Sequence, residues 1–342
     1  MLRLQAILVI AATFNVKYSG SRDVRYITCQ TACSFRCADP EARLGGGRVA
    51  KRAARKPYDL KWEVSDYARE LRSALRTETY RQPVEEVQKG AEFANATRGG
   101  WLAFWRWTCE DNCRYLCMID NVAVRETQQE PIVQYYGRWP FRRVCGVEEF
   151  ASSGVSLLKA GLHARWVRTL RGDARFLAIA SANLNLASAM HHARSVAAFE
   201  RWDYTSFGVN LVAWTMIPAN RLGLRRLGPG LLFLYLPYGA MLAAGQIDYG
   251  KHMALSVLFG AMTSVLWVVF IRRARRAGER QWLRMLIPCF GWIVVLPFEL
   301  GDFPPVFGLV DAHACFHFGI FLLTFGPRIN LYNVFLPHAH ES

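Results

Sequence analysis

The sequence predicts an all-α integral membrane protein: a seven-transmembrane helix bundle with an N-terminal disulfide-rich lumenal domain. Three observations carry that expectation. The 342 residues divide into a charged stretch, 1–148, and a stretch over 149–326 in which one apolar run follows another. Six of the nine cysteines form two triplets, Cys29-x3-Cys33-x3-Cys37 and Cys109-x3-Cys113-x3-Cys117. Arginines gather in alternate loops between the apolar runs, the pattern that orients a multi-pass protein.

A net charge of +15 can signal a nucleic-acid partner. Here the arginines sit in short loops between apolar runs, or mixed with acids over 43–98, so no nucleic-acid partner is expected. The first element is a signal peptide over 1–20: Arg3, an apolar core from Leu4 to Phe14, then small residues near Ser19. That core is too short to span a bilayer stably. The lumenal domain follows over 21–148. Neither cysteine triplet has the two-residue knuckle spacing common in structural zinc sites. The six cysteines therefore read as three disulfides in an oxidising lumen, with their pairing open. The sequon Asn95-Ala-Thr97 suits a lumenal loop.

Between the triplets lies a polar insert, 38–100. Its Gly45-Gly-Gly47 and the run Lys51, Arg52, Arg55, Lys56 read as a flexible basic linker. Leu60, Val64, Tyr67, Leu71 and Leu75 recur at helical spacing and predict one amphipathic helix over 58–79. Trp101, Trp105, Trp107, Tyr135, Tyr136 and Trp139 cluster ahead of the first apolar run. They suit either a bilayer interface or the core of a disulfide domain resting on it.

The spans are read over 150–167, 175–192, 203–220, 227–245, 252–271, 282–300 and 305–325, each near the ~20 residues that cross a bilayer as a helix. Lys159, His163 and Arg165 make the first the most polar, and Arg284 and Glu299 bound the sixth. Loops 1–2, 3–4 and 5–6 carry the arginine clusters and are cytosolic by the positive-inside rule, as is the tail 327–342. The cysteine domain and the other loops are then lumenal.

That orientation gathers a constellation. Asp311-Ala-His313-x3-His317 lies in the lumenal half of the seventh span, with the two histidines one turn apart on one helix face. Ser188-x3-His192 closes the second span, and Asp203 opens the third. All five side chains, Ser188, His192, Asp203, His313 and His317, reach one depth near the lumenal surface. Ionisable groups in hydrocarbon are costly and mark function. Three imidazoles with an open fourth position are a catalytic zinc arrangement. A carboxylate beside it can move protons, and a hydroxyl can donate to a developing oxyanion. His191 is the alternative third ligand. Asp203 could instead cap a helix, and Asp311 could orient an imidazole. Asp302 belongs to a turn, Glu200 to a solvated loop, and Cys289 and Cys315 read as buried thiols.

These residues resemble the post-GPI-attachment-to-proteins factor 3 family of GPI-specific phospholipases of the early secretory pathway. The resemblance runs through the cysteine triplets, Trp107-Thr-Cys109, Gly137-Arg-Trp-Pro-Phe141, Ser188-x3-His192-x10-Asp203-Tyr204, Asp248-Tyr-Gly250, and Leu300-Gly-Asp-Phe-Pro-Pro305 through His317. A wider group of seven-span hydrolases, including alkaline ceramidases and adiponectin-receptor-like proteins, is similar in its Ser, Asp and three-His pattern. The resemblance implies Zn2+ on His192, His313 and His317, with catalytic roles for Asp203 and Ser188. It also implies removal of the sn-2 acyl chain from GPI-anchored proteins in the Golgi or endoplasmic reticulum membrane, with the site lumenal. The long insert, and a loop after His192 without nearby acids, depart from that family's pattern. The rival readings are a ceramidase-like lipid amidase, and a non-catalytic receptor or sorting factor for GPI-anchored proteins.

Overall fold

The computed structural model describes residues 23–38, 100–246, 249–279, 282–326 and 331–334. The signal peptide, nearly all of the insert with its helix and its Asn95 sequon, Asp248, and most of the tail lie outside the described residues. The chain forms two compact units, Met1–Gly146 and Val147–Ser342.

In the first unit, helices α1 (Val24–Ala38) and α3 (Cys109–Thr127) pack together, with a short α2 (Gly100–Phe104) before α3. A spacing of four puts each cysteine triplet on one helix face. The two faces are stapled in an antiparallel ladder: Cys29–Cys117, Cys33–Cys113 and Cys37–Cys109, with Cα–Cα distances of 5.7, 5.6 and 5.8 Å. The triplet spacing is thus a helix-facing spacing, which is why it lacks the knuckle form of a zinc site. Tyr26, Val133 and Tyr135 complete the core around the sulfurs. Burial pushes the Tyr135 phenol above its usual range, and its O–H donates to Asn121. Thr108 and Asp111 form a capping box that starts α3.

The aromatic cluster divides between buried and exposed residues. Trp107, Tyr135 and Trp139 are buried, and the Arg143 guanidinium lies between the Trp107 and Tyr115 rings, 3.6 and 3.5 Å from their centres. Trp101 and Tyr136 are exposed.

The second unit holds seven helices among the described residues: α4 (Phe150–Trp166), α5 (Gly172–Ala193), α6 (Ala197–Arg221), α7 (Leu227–Ala243), α8 (Tyr249–Arg276), α9 (Trp282–Gly301) and α10 (Ala312–Phe325). Helices α4, α5, α6, α8, α9 and α10 pack in sequence, and α10 returns to α4 to close a ring. Helix α7 packs on α6. The turn Leu331–Val334 inserts Tyr332, fully buried, against α4, where its hydroxyl meets His163 Nδ1 at 2.6 Å.

Polarity in this unit is inverted. Lys159, His163, Ser181, Asn185, His192 and His317 are buried. Phe233, Leu234, Val257, Leu258, Val265 and Val294 point outward and are 62–74% exposed. Water penalises such a surface, whereas hydrocarbon solvates it. By length and composition, one helix among the described residues, Ala254–Arg276, is long and apolar enough to cross a membrane. Leu227–Ala243, Cys289–Gly301 and Ala312–Phe325 are shorter apolar helices.

The last helix begins later than the apolar run suggests. Residues 305–311 are not helical: Val306 and Val310 bridge across a turn at Phe307 and Gly308, and Asp311 caps α10 by accepting from Ala314 N–H at 2.8 Å. Pro304 and Pro305 remove two backbone donors, and the left-handed φ of Phe307 and Gly308 excludes a helix there.

The ladder makes its rungs unequal in value. Any one rung alone closes a loop of some 80 residues, worth about 4–5 kcal/mol by chain entropy. Each later rung closes a ring of only about eight residues and adds about half as much. Replacing Cys37 and Cys109 by serine should therefore cost about 2 kcal/mol, and replacing all six should cost several times more. Denaturant unfolding of the full chain, with non-reducing peptide mapping of the three pairs, checks both the values and the pairing.

Candidate functional site

The site forms where the end of α5 meets the start of α10 and the entry to α4. The entry strand donates Glu148 N–H to the Ala193 carbonyl and Glu149 N–H to the His192 carbonyl, both at 3.0 Å. Those carbonyls belong to the last turn of α5, where no intrahelical donor remains. The backbone pairing sets the Glu149 side chain beside His192. At α10, the Asp311 cap fixes the helix start, so His313 falls in the first turn and His317 one turn on.

Three imidazoles converge there. His192 Nε2 lies 3.1 Å from His317 Nε2, which lies 3.0 Å from His313 Nε2. Each far nitrogen has a polar neighbour. His192 Nδ1 is 2.6 Å from Glu149 Oε2, and His313 Nδ1 is 2.6 Å from Glu299 Oε2. Ser156 Oγ and Lys159 Nζ lie 3.3 and 3.1 Å from His317 Nδ1.

The carboxylates accept N–H from Nδ1 and thereby fix the tautomer: His192 and His313 present bare Nε2 lone pairs. Two lone pairs then face the third nitrogen, and a single proton on His317 Nε2 can serve only one of them well. A cation at the centre satisfies all three. Tetrahedral nitrogen ligands 2.0–2.1 Å from zinc stand about 3.3–3.4 Å apart, within a few tenths of an ångström of this spacing. The donor set fits a divalent metal, and His192, His313 and His317 could hold one. A second sulfur grouping, Cys33, Cys37 and Cys113, is taken up by the disulfides.

The site is closed on one side and open on the other. The His192 and Glu149 side chains are 7% and 11% exposed, whereas those of His313 and Glu299 are 35% and 29% exposed. Access lies along the α9–α10 edge. Ser188, one turn before His192 on α5, is buried. Asp203 lies in the second turn of α6, half-buried, within electrostatic reach of His313, Lys159 and Glu149. No hydrogen bond joins it to the imidazoles among the described residues, and its position inside α6 excludes the capping role. His191 turns toward Tyr204, ring centres 6.2 Å apart, and lies outside the trio. Asp311 serves the helix start rather than an imidazole. Cys289 is buried and Cys315 half-buried.

Four neighbours escaped the sequence reading. Lys159 and Glu299 stood out as charges within or bounding apolar runs, a signal that favours function over mere interruption. Lys159 is 4% exposed, and no carboxylate lies within ion-pair distance of it among the described residues. Glu149 precedes the first run, and Ser156 is an ordinary helix residue, so neither carries a sequence signal.

Residues 101–336 match the Per1-like family. "Post-GPI attachment to proteins factor 3" of Drosophila melanogaster is 32% identical over 62% of this chain and 70% of its own length. "GPI-specific phospholipase A2-like PGAP3" of Danio rerio is 30% identical over 65% of this chain and 75% of its own length. "Protein PER1 homolog" of Schizosaccharomyces pombe is 26% identical over 65% of this chain and 74% of its own length. No solved structure matches the chain significantly. The match runs over well more than half of the chain, which therefore belongs to the Per1-like family.

Proposed function

We propose that this chain hydrolyses the sn-2 acyl ester of GPI anchors on GPI-anchored proteins, at a zinc site held by His192, His313 and His317. One observation carries the reading: three Nε2 atoms meet at metal-ligand spacing, with two of the rings fixed from behind by carboxylates. The names of the relatives point to GPI lipid as substrate, and the open edge leaves room for one. A zinc ion bound there supplies Lewis acidity and lowers the pKa of a bound water to about 7.

The chain's own residues do the rest. Glu149 and Glu299 hold the His192 and His313 rings in the ligating tautomer. Asp203, beside the trio without a hydrogen bond to it, takes a proton from the attacking water and returns it to the leaving alcohol. Ser188, on the His192 face of α5, donates its O–H to the ester oxygen as charge develops. The inverted polarity of the second unit supports a multi-pass membrane domain over 149–326. The disulfide ladder supports a lumenal setting for 21–148, in the Golgi or endoplasmic reticulum membrane.

Two measurements test this. Wild type expressed in cells lacking GPI deacylation should release the unsaturated sn-2 chain as free fatty acid and leave lyso-GPI, and His313→Ala should not, read by mass spectrometry of GPI lipids. If wild type leaves that chain in place, the reaction is wrong. Asp203→Asn should lower the rate about 10²–10⁴-fold while the purified protein keeps its zinc. Glu149→Gln and Glu299→Gln should each weaken Zn2+ binding about 10–100-fold, titrated against a chromophoric chelator. Wild-type affinity in both variants would remove the positioning role.

A further inference from the structure

The connection between α9 and α10 is a tight hairpin with an apolar tip. Phe307 and Gly308 have φ of 54° and 71°, the paired left-handed pattern of a type I′ turn. Leu309 N–H donates to the Val306 carbonyl at 3.1 Å, and Val306 and Val310 exchange N–H···O bonds at 2.8 and 3.3 Å. Asn or Gly normally occupies the first of these two positions. Here it is Phe307, 91% exposed and among the most exposed large apolar side chains described. Leu300 (75%), Val306 (51%) and Val310 (40%) flank it. From Phe303 to Val310 the segment has no charged residue.

Its position matters. The hairpin joins the two helices that supply the open edge of the site, Glu299 on α9 and His313 on α10. Helix α10 has only 14 residues, a length of about 21 Å, against a hydrocarbon core of about 30 Å. If its far end reaches the cytosolic boundary, its first turn begins about 10 Å beneath the lumenal boundary. The hairpin then stands within the lumenal leaflet. Backbone there must pair internally, and the 306–310 bonds do so. A water-facing loop would have no reason to set a strained aromatic at its tip.

We propose that the 302–311 hairpin is the lipid-entry lip of the site. Phe307 contacts acyl chains of the lumenal leaflet and guides a diacyl lipid into the opening at His313 and Glu299. The lipid class follows from the surface: acyl chains meet the tip, and the ester that joins them to the headgroup is drawn about 10 Å below the lumenal boundary to reach the open edge. This rests on the hydrolase reading for its consequence and on a bilayer for its contact.

The test separates the two. The full chain carries p-benzoyl-phenylalanine in place of Phe307, is reconstituted in phosphatidylcholine vesicles and is irradiated. The control carries the same group in place of Arg225, exposed in the α6–α7 turn. Lipid adducts, read by mass spectrometry, should be at least about tenfold more abundant at 307. Equal yields, or adducts to protein alone, overturn the proposal, whatever the enzyme does. In the same vesicles Phe307→Asn, which suits the left-handed backbone, should lower kcat/KM for a long-chain ester about tenfold, with Phe307→Leu restoring it. If Phe307→Asn works as well as wild type, the guiding role is wrong. If wild type hydrolyses no ester but position 307 still captures lipid, the reaction reading falls and the lip stands.

Discussion

The pairing of an imidazole with a carboxylate at 2.6 Å, made once in the buried interior by His192 and Glu149 and once at the open edge by His313 and Glu299, is the constraint on which this site depends. An isolated carboxylate in a low-dielectric interior is costly. Glu149 and Glu299 are kept there by accepting the Nδ1 proton, and that bond determines what the far side of each ring can do. With bare lone pairs on His192 and His313 both 3.0–3.1 Å from the His317 nitrogen, one proton there satisfies only one of them, and a cation between the rings would satisfy all three. A structural pair needs no such convergence. The back-side carboxylates therefore turn three histidines, each unremarkable by itself, into a set that could hold a metal ion.

Much of the rest of the second unit follows from sparing those groups from solvent. The ring of α4, α5, α6, α8, α9 and α10 surrounds the polar residues, so the polar faces of the helices turn inward and the apolar faces outward. Lys159 is the extreme case: it is buried against His317, and Asp203 lies within its electrostatic reach. The polar first span, which weakens as a membrane segment when judged by composition, gains a reason. Lys159 and His163 are buried inside the ring, and Arg165 is exposed near the helix end.

The meeting of His192, His313 and His317 was legible because side-chain chemistry in an apolar run is conspicuous. The all-helical fold was legible from periodicity, and three disulfides were expected, but their pairing was left open although a spacing of four is also a helix-face fact. What the sequence hid is local. Glu149 reaches His192 because two backbone N–H groups ahead of α4 seek the unpaired carbonyls at the end of α5, a partnership more than forty residues apart. The start of α10 was misread because hydropathy does not distinguish an apolar hairpin from an apolar helix. Backbone φ at Phe307 and Gly308 and the two prolines decide that boundary, and a hydropathy window averages over them.

That misread boundary has a chemical consequence. Had α10 begun near Pro305, His313 would lie more than two turns into the helix, about 12 Å from its start. With Asp311 as cap, His313 sits one residue inside the helix, so the placement of the histidines and the end of the hairpin are set by the same hydrogen bond, Ala314 N–H to Asp311 Oδ1. The cap contributes about 1 kcal/mol to helix stability. Its larger effect is positional: a slip of one residue at the helix start would rotate His313 and His317 by 100° about the axis and carry both away from His192. The apolar lip and the ligands are therefore one rigid piece of chain. A lipid that displaces the lip acts directly on the helix start that aims the histidines.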